Sequence, residues 1–66
     1  MTIADIKLTH RESLLMDYAQ ERRTALQFRA QAWAQKATGH DNSLAVKFAR
    51  EYAASARQIW RRITLP

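Results

Sequence analysis

The chain carries one glycine, and it sits in the one clear cluster of turn formers, Thr38-Gly39-His40-Asp41-Asn42-Ser43. With a single proline besides, the rest of the chain has almost nowhere to reverse cheaply, so long helices and few turns are expected. Gly39 supplies the left-handed residue that ends a helix, while Asp41, Asn42 and Ser43 are each good caps for the next one. Upstream, Thr9-His10-Arg11-Glu12 fits the capping-box pattern, with Glu12 reaching back to Thr9. The expected fold is all-α: an antiparallel helical hairpin with a first helix over about 10–37, a turn over 38–42 and a second helix over about 43–63. Residues 1–8 allow two readings. Thr2 and Asp5 cap a short extra turn, or the segment is extended, with Ile3, Ile6 and Leu8 as apolar surface to pack.

The second helix has a one-sided pattern. Ala45, Ala49, Tyr52, Ala56, Ile59 and Ile63 recur at spacings of four and three, with Phe48 and Trp60 beside them, which is a heptad seam. Lys47, Arg50, Arg57 and Arg61 fall on the other side, within about 80° of one another at 100° per residue. The first helix is less simple, because it has two apolar flanks. Leu14, Tyr18, Ala25, Phe28 and Ala32 form one; Leu15, Ala19, Leu26, Ala30, Trp33 and Ala37 form the other. Arg22, Arg29 and Lys36 run between them, seven residues apart. Ser13, Asp17, Gln20, Thr24, Gln27, Gln31 and Gln35 make up the far side.

Folding the chain about residues 40 and 41 pairs positions whose numbers add to about 81. Trp33 then meets Phe48, Ala32 meets Ala49, Arg29 stacks on Tyr52 and Arg22 reaches Ile59. The expected hairpin core is therefore Leu26, Trp33, Phe48, Ala49, Tyr52, Ala56, Ile59 and Ile63. Leu14, Tyr18, Ala25, Phe28 and Ala32, with Arg22 and Arg29, remain for a dimer or partner interface. The first helix is longer by about a turn and a half, so its opening turns should overhang the second.

Composition says why a partner is expected. Twelve of the 66 residues are alanine, and the large side chains that fill a core are scarce. A single core in so short a chain rarely supplies more than about 3–5 kcal/mol without a staple. Disulfides are excluded because there is no cysteine, and nothing signals an oxidising compartment. Completion as a dimeric four-helix bundle, or by docking on a partner, follows as the expectation.

Catalytic chemistry finds no footing. Ser13, Ser43 and Ser55 have no histidine at a spacing that would place a base beside them, and the carboxylates are scattered singly. His10 and His40 fall at opposite ends of the first helix, about 45 Å apart at 1.5 Å per residue, too far to share a metal within one chain. We therefore expect no enzyme, no catalytic or metal site and no cofactor.

The formal net charge of +5 suits an acidic partner. It is uneven: residues 43–66 hold five Lys or Arg against one acid, while residues 1–42 hold six against five. Lys47, Arg50, Arg57, Arg61 and Arg62 are the candidate contacts to phosphates or to an acidic protein. No aromatic interleaves with them, and two long helices do not match a helix-turn-helix, so nucleic-acid binding would be backbone-directed. A solvated face that keeps an alanine-rich bundle soluble accounts for the same charges. Arg22, Arg29 and Lys36 either snorkel along the hairpin groove or pair with acids of another chain. No apolar run reaches the roughly 18 residues that span a bilayer, and the N-terminus lacks a signal-peptide pattern, so a cytoplasmic location is the default. Length, missing chemistry and charge fit the small non-catalytic regulators and adaptors of bacterial and phage genomes. The leading expectation is a protein that binds a partner protein through an apolar helix face; the alternative is a DNA- or RNA-binding regulator.

Overall fold

The computed structural model describes residues 9–65, so the expectations for residues 1–8 lie outside it. Two helices, α1 (His10–Ala37) and α2 (Ser43–Thr64), pack against each other as an antiparallel hairpin. The molecule is a single layer, 12 Å deep along its thinnest axis.

Both ends of α1 are fixed by local chemistry. At its start the Thr9 Oγ1 accepts from the Glu12 N–H at 3.1 Å, and the Glu12 carboxylate accepts from the Thr9 N–H at 3.2 Å. Two of the donors that open a helix are thereby satisfied. At its end Gly39 takes φ 77°, which only glycine adopts without a Cβ penalty. The His40 N–H then reaches the Gln35 carbonyl at 2.8 Å and the Gly39 N–H reaches Lys36 at 3.2 Å, the paired closure of a Schellman turn. Thr38 adds its hydroxyl, bonded to the Ala34 carbonyl at 3.0 Å and to the His40 Nδ1 at 2.8 Å.

The turn side chains divide their work differently from the expected capping. Asn42 occupies the cap position of α2 without a side-chain cap bond. Its Nδ2 donates instead across the hairpin to the Ala32 carbonyl at 3.2 Å, tying the turn to α1. Asp41 Oδ1 accepts from the Ser43 N–H at 3.1 Å and from the Ser43 hydroxyl, which closes an Asx turn ahead of α2.

The packed seam of α1 differs from the expected one. Leu14, Tyr18, Glu21, Ala25, Phe28, Ala32 and Gln35 are its buried or half-buried positions facing α2, in unbroken spacings of four and three. Leu26 and Trp33, expected in the core, are 51% and 62% exposed. The flank assigned to a partner is thus the one that α2 covers, and the flank assigned to the core is left bare. Register is the physical reason. The ring pairs Phe28–Phe48, Tyr18–Trp60 and Phe28–Tyr52 have residue numbers adding to 76, 78 and 80, so the chain folds about Gly39 rather than about 40 and 41. Phe28 takes the place expected of Trp33 opposite Phe48, with ring centres 5.2 Å apart. It also stacks on Tyr52 at 5.7 Å, where Arg29 was expected. Only the first turn of α1, residues 10–13, is fully exposed beyond the end of α2, less than the expected overhang.

Four residues are buried among those described, Ala25, Ala32, Ala45 and Ala56, and no large side chain is fully buried. Alanine against alanine lets the two backbones approach closely, but each methyl removes little apolar area from water. The larger seam residues (Leu14, Tyr18, Phe28, Tyr52, Ile59 and Ile63) are only half-buried. One layer of two helices leaves each seam open on both sides.

Candidate interaction face

The heptad positions decide what each side of this layer presents. In α1 the seam leans its small residues, Ala25 and Ala32, toward one face of the hairpin and its larger ones, Glu21, Phe28 and Gln35, toward the other. The seam of α2 repeats the arrangement, with Ala49 and Ala56 leaning one way and Tyr52 and Ile59 the other. The side chains with bulk close one face. The alanines leave a groove along the opposite face.

That groove has a volume of about 420 Å³ near the turn, floored by Ala32, Val46, Ala49 and Ala53 and walled by Trp33. Arg29 and Lys36 of α1 and Arg50 and Arg57 of α2 stand around it. A second hollow of about 350 Å³ continues it toward the chain ends, lined by Tyr18, Arg22, Ala25, Leu26, Ala56 and Trp60, and it shares Ala53 and Arg57 with the first. The Lys36 ammonium lies 5.7 Å from the centre of the Trp33 ring. The Arg22 guanidinium donates to the Tyr18 hydroxyl at 2.9 Å, which holds it against α1 at the far end of the groove.

The candidate residues of the sequence reading therefore separate. Ala49, Ala56, Tyr52, Ile59, Ile63 and Phe48 line the contact between helices, half-buried or buried. Leu14, Tyr18, Ala25, Phe28 and Ala32 lie on the same contact from the α1 side. Arg22 and Arg29 are exposed beside it and join Arg50 and Arg57 at the groove. Lys47 and Arg61, one turn position further out, are exposed away from the groove, and the helical repeat turns Arg62 to the opposite face. The five-base ridge is thus split by the fold, and its two groove members are joined by three bases of α1.

Sequence reasoning missed the half-burial of Glu21, Thr24 and Gln35, taking Thr24 and Gln35 for far-side residues. The signal was present in the alternation of four and three that runs through Glu21 and Gln35 without a break. Two polar side chains in an apolar seam concealed it. The Gln35 Oε1 is buried without a hydrogen-bond partner.

Two carboxyls are shifted, both by turn hydrogen bonds. The Thr9 side chain, and then its backbone N–H, holds Glu12 below its ordinary value. The Ser43 hydroxyl, and then its N–H, does the same for Asp41. Glu12 belongs to the capping box and Asp41 to the Asx turn, and neither lines the groove. Among the described residues no three His, Cys, Asp or Glu side chains gather as a metal site requires, and no helix is long and apolar enough to cross a membrane.

Fold and surface together define a small two-helix hairpin whose alanine side is an open, base-rimmed apolar groove. No protein family, curated protein or solved structure matches the chain.

Proposed function

We propose that this chain is a non-catalytic regulatory or adaptor protein that acts by binding a partner protein through the exposed apolar face of the hairpin. The observation that supports it is the set Leu26, Trp33 and Trp60, 46–62% exposed and lining the alanine groove, of which Trp60 also packs on Tyr18. Isolated exposed apolar residues need no explanation, but large ones aligned beside a groove mark an interaction surface. Pairing of two copies through this groove would oppose the same bases. Since the groove's own lining holds bases and no acid, that favours a different chain over a homodimer as its occupant.

Trp33→Asp tests the reading, because Trp33 is exposed and its loss leaves the helix contact intact. The purified variant should keep its helicity by circular dichroism and lose partner capture in a nuclease-treated pull-down. Undiminished capture by the variant would refute it. A second reading, a backbone-directed nucleic-acid binder, draws on the five bases around the groove. It requires capture that nuclease abolishes and an affinity that falls steeply with salt, with Arg57→Ala reducing the slope by about one.

A further inference from the structure

We infer that the groove receives a third helix, an acidic amphipathic helix of the partner, which completes a three-helix bundle. The inference rests on the proposed partner-binding role and adds the chemistry of what binds.

Shape comes first. Two packed antiparallel helices with alanines flooring one side form a long recess, and Val46, Ala49 and Ala53 leave room there for larger side chains to enter as knobs between them. A recess of that form matches the leucine edge of another helix. A flat bilayer surface cannot fill it, and phosphates have no use for its apolar floor. From the level of Trp60 and Tyr18 to that of Lys36 and Val46 the groove follows about 18 residues of α1, or about 27 Å.

Charge then selects among helices. Arg22, Arg29 and Lys36 are seven residues apart on α1, and Arg50 and Arg57 are seven apart on α2. Seven residues are two helical turns, about 10.5 Å, so both rims offer cations at the repeat of a heptad. A third helix with leucine at its seam positions and glutamate at the positions flanking the seam would meet a base on the α1 side at three repeats and on the α2 side at two. Asp17 and Glu21 fall on other sides of α1 by the helical repeat, and Glu51 lines a neighbouring hollow with Arg50, while the groove's own lining holds no acid.

The experiment uses a synthetic 21-residue helical peptide of three heptads, with leucine at the two seam positions and glutamate at the flanking ones. Mutual repulsion of the glutamates keeps the probe itself monomeric. Trp33 and Trp60 lie in the groove, so occupancy should shift their fluorescence to the blue, and titration at physiological salt should saturate in the micromolar range. The double variant Arg29→Glu, Arg57→Glu should weaken binding at least tenfold while keeping its helicity. A peptide with lysine at the facing positions should recover most of the loss. Equal binding of a glutamine-flanked peptide would overturn the acidic requirement and leave the partner-protein reading standing. If no peptide binds while phosphatidylglycerol vesicles or duplex DNA shift the same fluorescence, both fail. A concentration-dependent dimer that the peptide does not displace would likewise overturn the inference, since the groove would then belong to a second copy.

Discussion

Replacing Phe28 and Trp33 separately by alanine weighs the two flanks of α1 against each other. Truncating a fully buried phenylalanine costs about 3–5 kcal/mol. Phe28 is half-buried, which scales the figure to about 2 kcal/mol, and the ring pairs with Phe48 and Tyr52 raise it to about 3 kcal/mol. Trp33 is 62% exposed, and its one ring interaction is with Lys36 on its own helix. Its truncation should cost no more than about 1 kcal/mol. Urea unfolding followed by far-ultraviolet circular dichroism reads the difference. At a slope near 1 kcal/mol per molar, expected for so small a chain, Phe28→Ala should lower the midpoint by about 3 M and Trp33→Ala by about 1 M or less. A hairpin holding only about 3–5 kcal/mol would be nearly unfolded by the first change. Phe28→Leu, which keeps apolar bulk and loses the rings, should therefore show an intermediate shift of about 1 M. All variants must be compared at one protein concentration, because association raises apparent stability by mass action. A midpoint drop for Trp33→Ala equal to or larger than that for Phe28→Ala would refute the assignment of the faces.

Two further outcomes follow from the turn and the caps. Gly39→Ala should destabilise by about 1 kcal/mol, measured in the same unfolding assay: a Cβ there meets nothing within 4 Å, so the whole cost is the positive φ. An effect near zero would mean that the turn does not hold its left-handed residue. Acid titration should weaken the hairpin through Glu12 and Asp41, both held below their ordinary values. A carboxyl with a lowered folded pKa stabilises fully above its unfolded value, and the benefit disappears as pH falls through the folded one. Helicity should therefore be flat near neutrality and decline below the usual carboxylate range, and Thr9→Ala, which removes the hydroxyl but keeps the backbone N–H, should reduce the Glu12 part of that decline.

What the sequence disclosed and what it hid divide by range. The start of α1 at Thr9 and its stop at Gly39 depend on residues within four positions of one another, so local rules suffice to read them. The all-helical hairpin follows from the same rules and from the seam of α2. Which flank of α1 turns inward is a different kind of question. Both flanks repeat with a helical period, and the arginines between them cancel almost all net one-sidedness, whereas α2 is strongly one-sided. The choice then depends on register, which the Schellman closure at Gly39 shifts by about three in the sum of paired residue numbers. Exchanging Trp33 for Phe28 beside Phe48 lowers that sum by five, so it takes a turn of α1 about its axis as well as the shift. The groove was hidden for the same reason, since its walls come from both helices and it exists only in one register.

A seam in which only four alanines are buried also has a calorimetric consequence. Heat capacity rises on unfolding in proportion to newly wetted apolar surface, and an ordinary chain of this length would gain about 0.8–1 kcal/mol per kelvin. Among the described residues seven large apolar side chains are exposed and the others only half-buried, so the increment must fall below that value. Its free energy then varies weakly with temperature, and it melts over a broad span without a sharp endotherm.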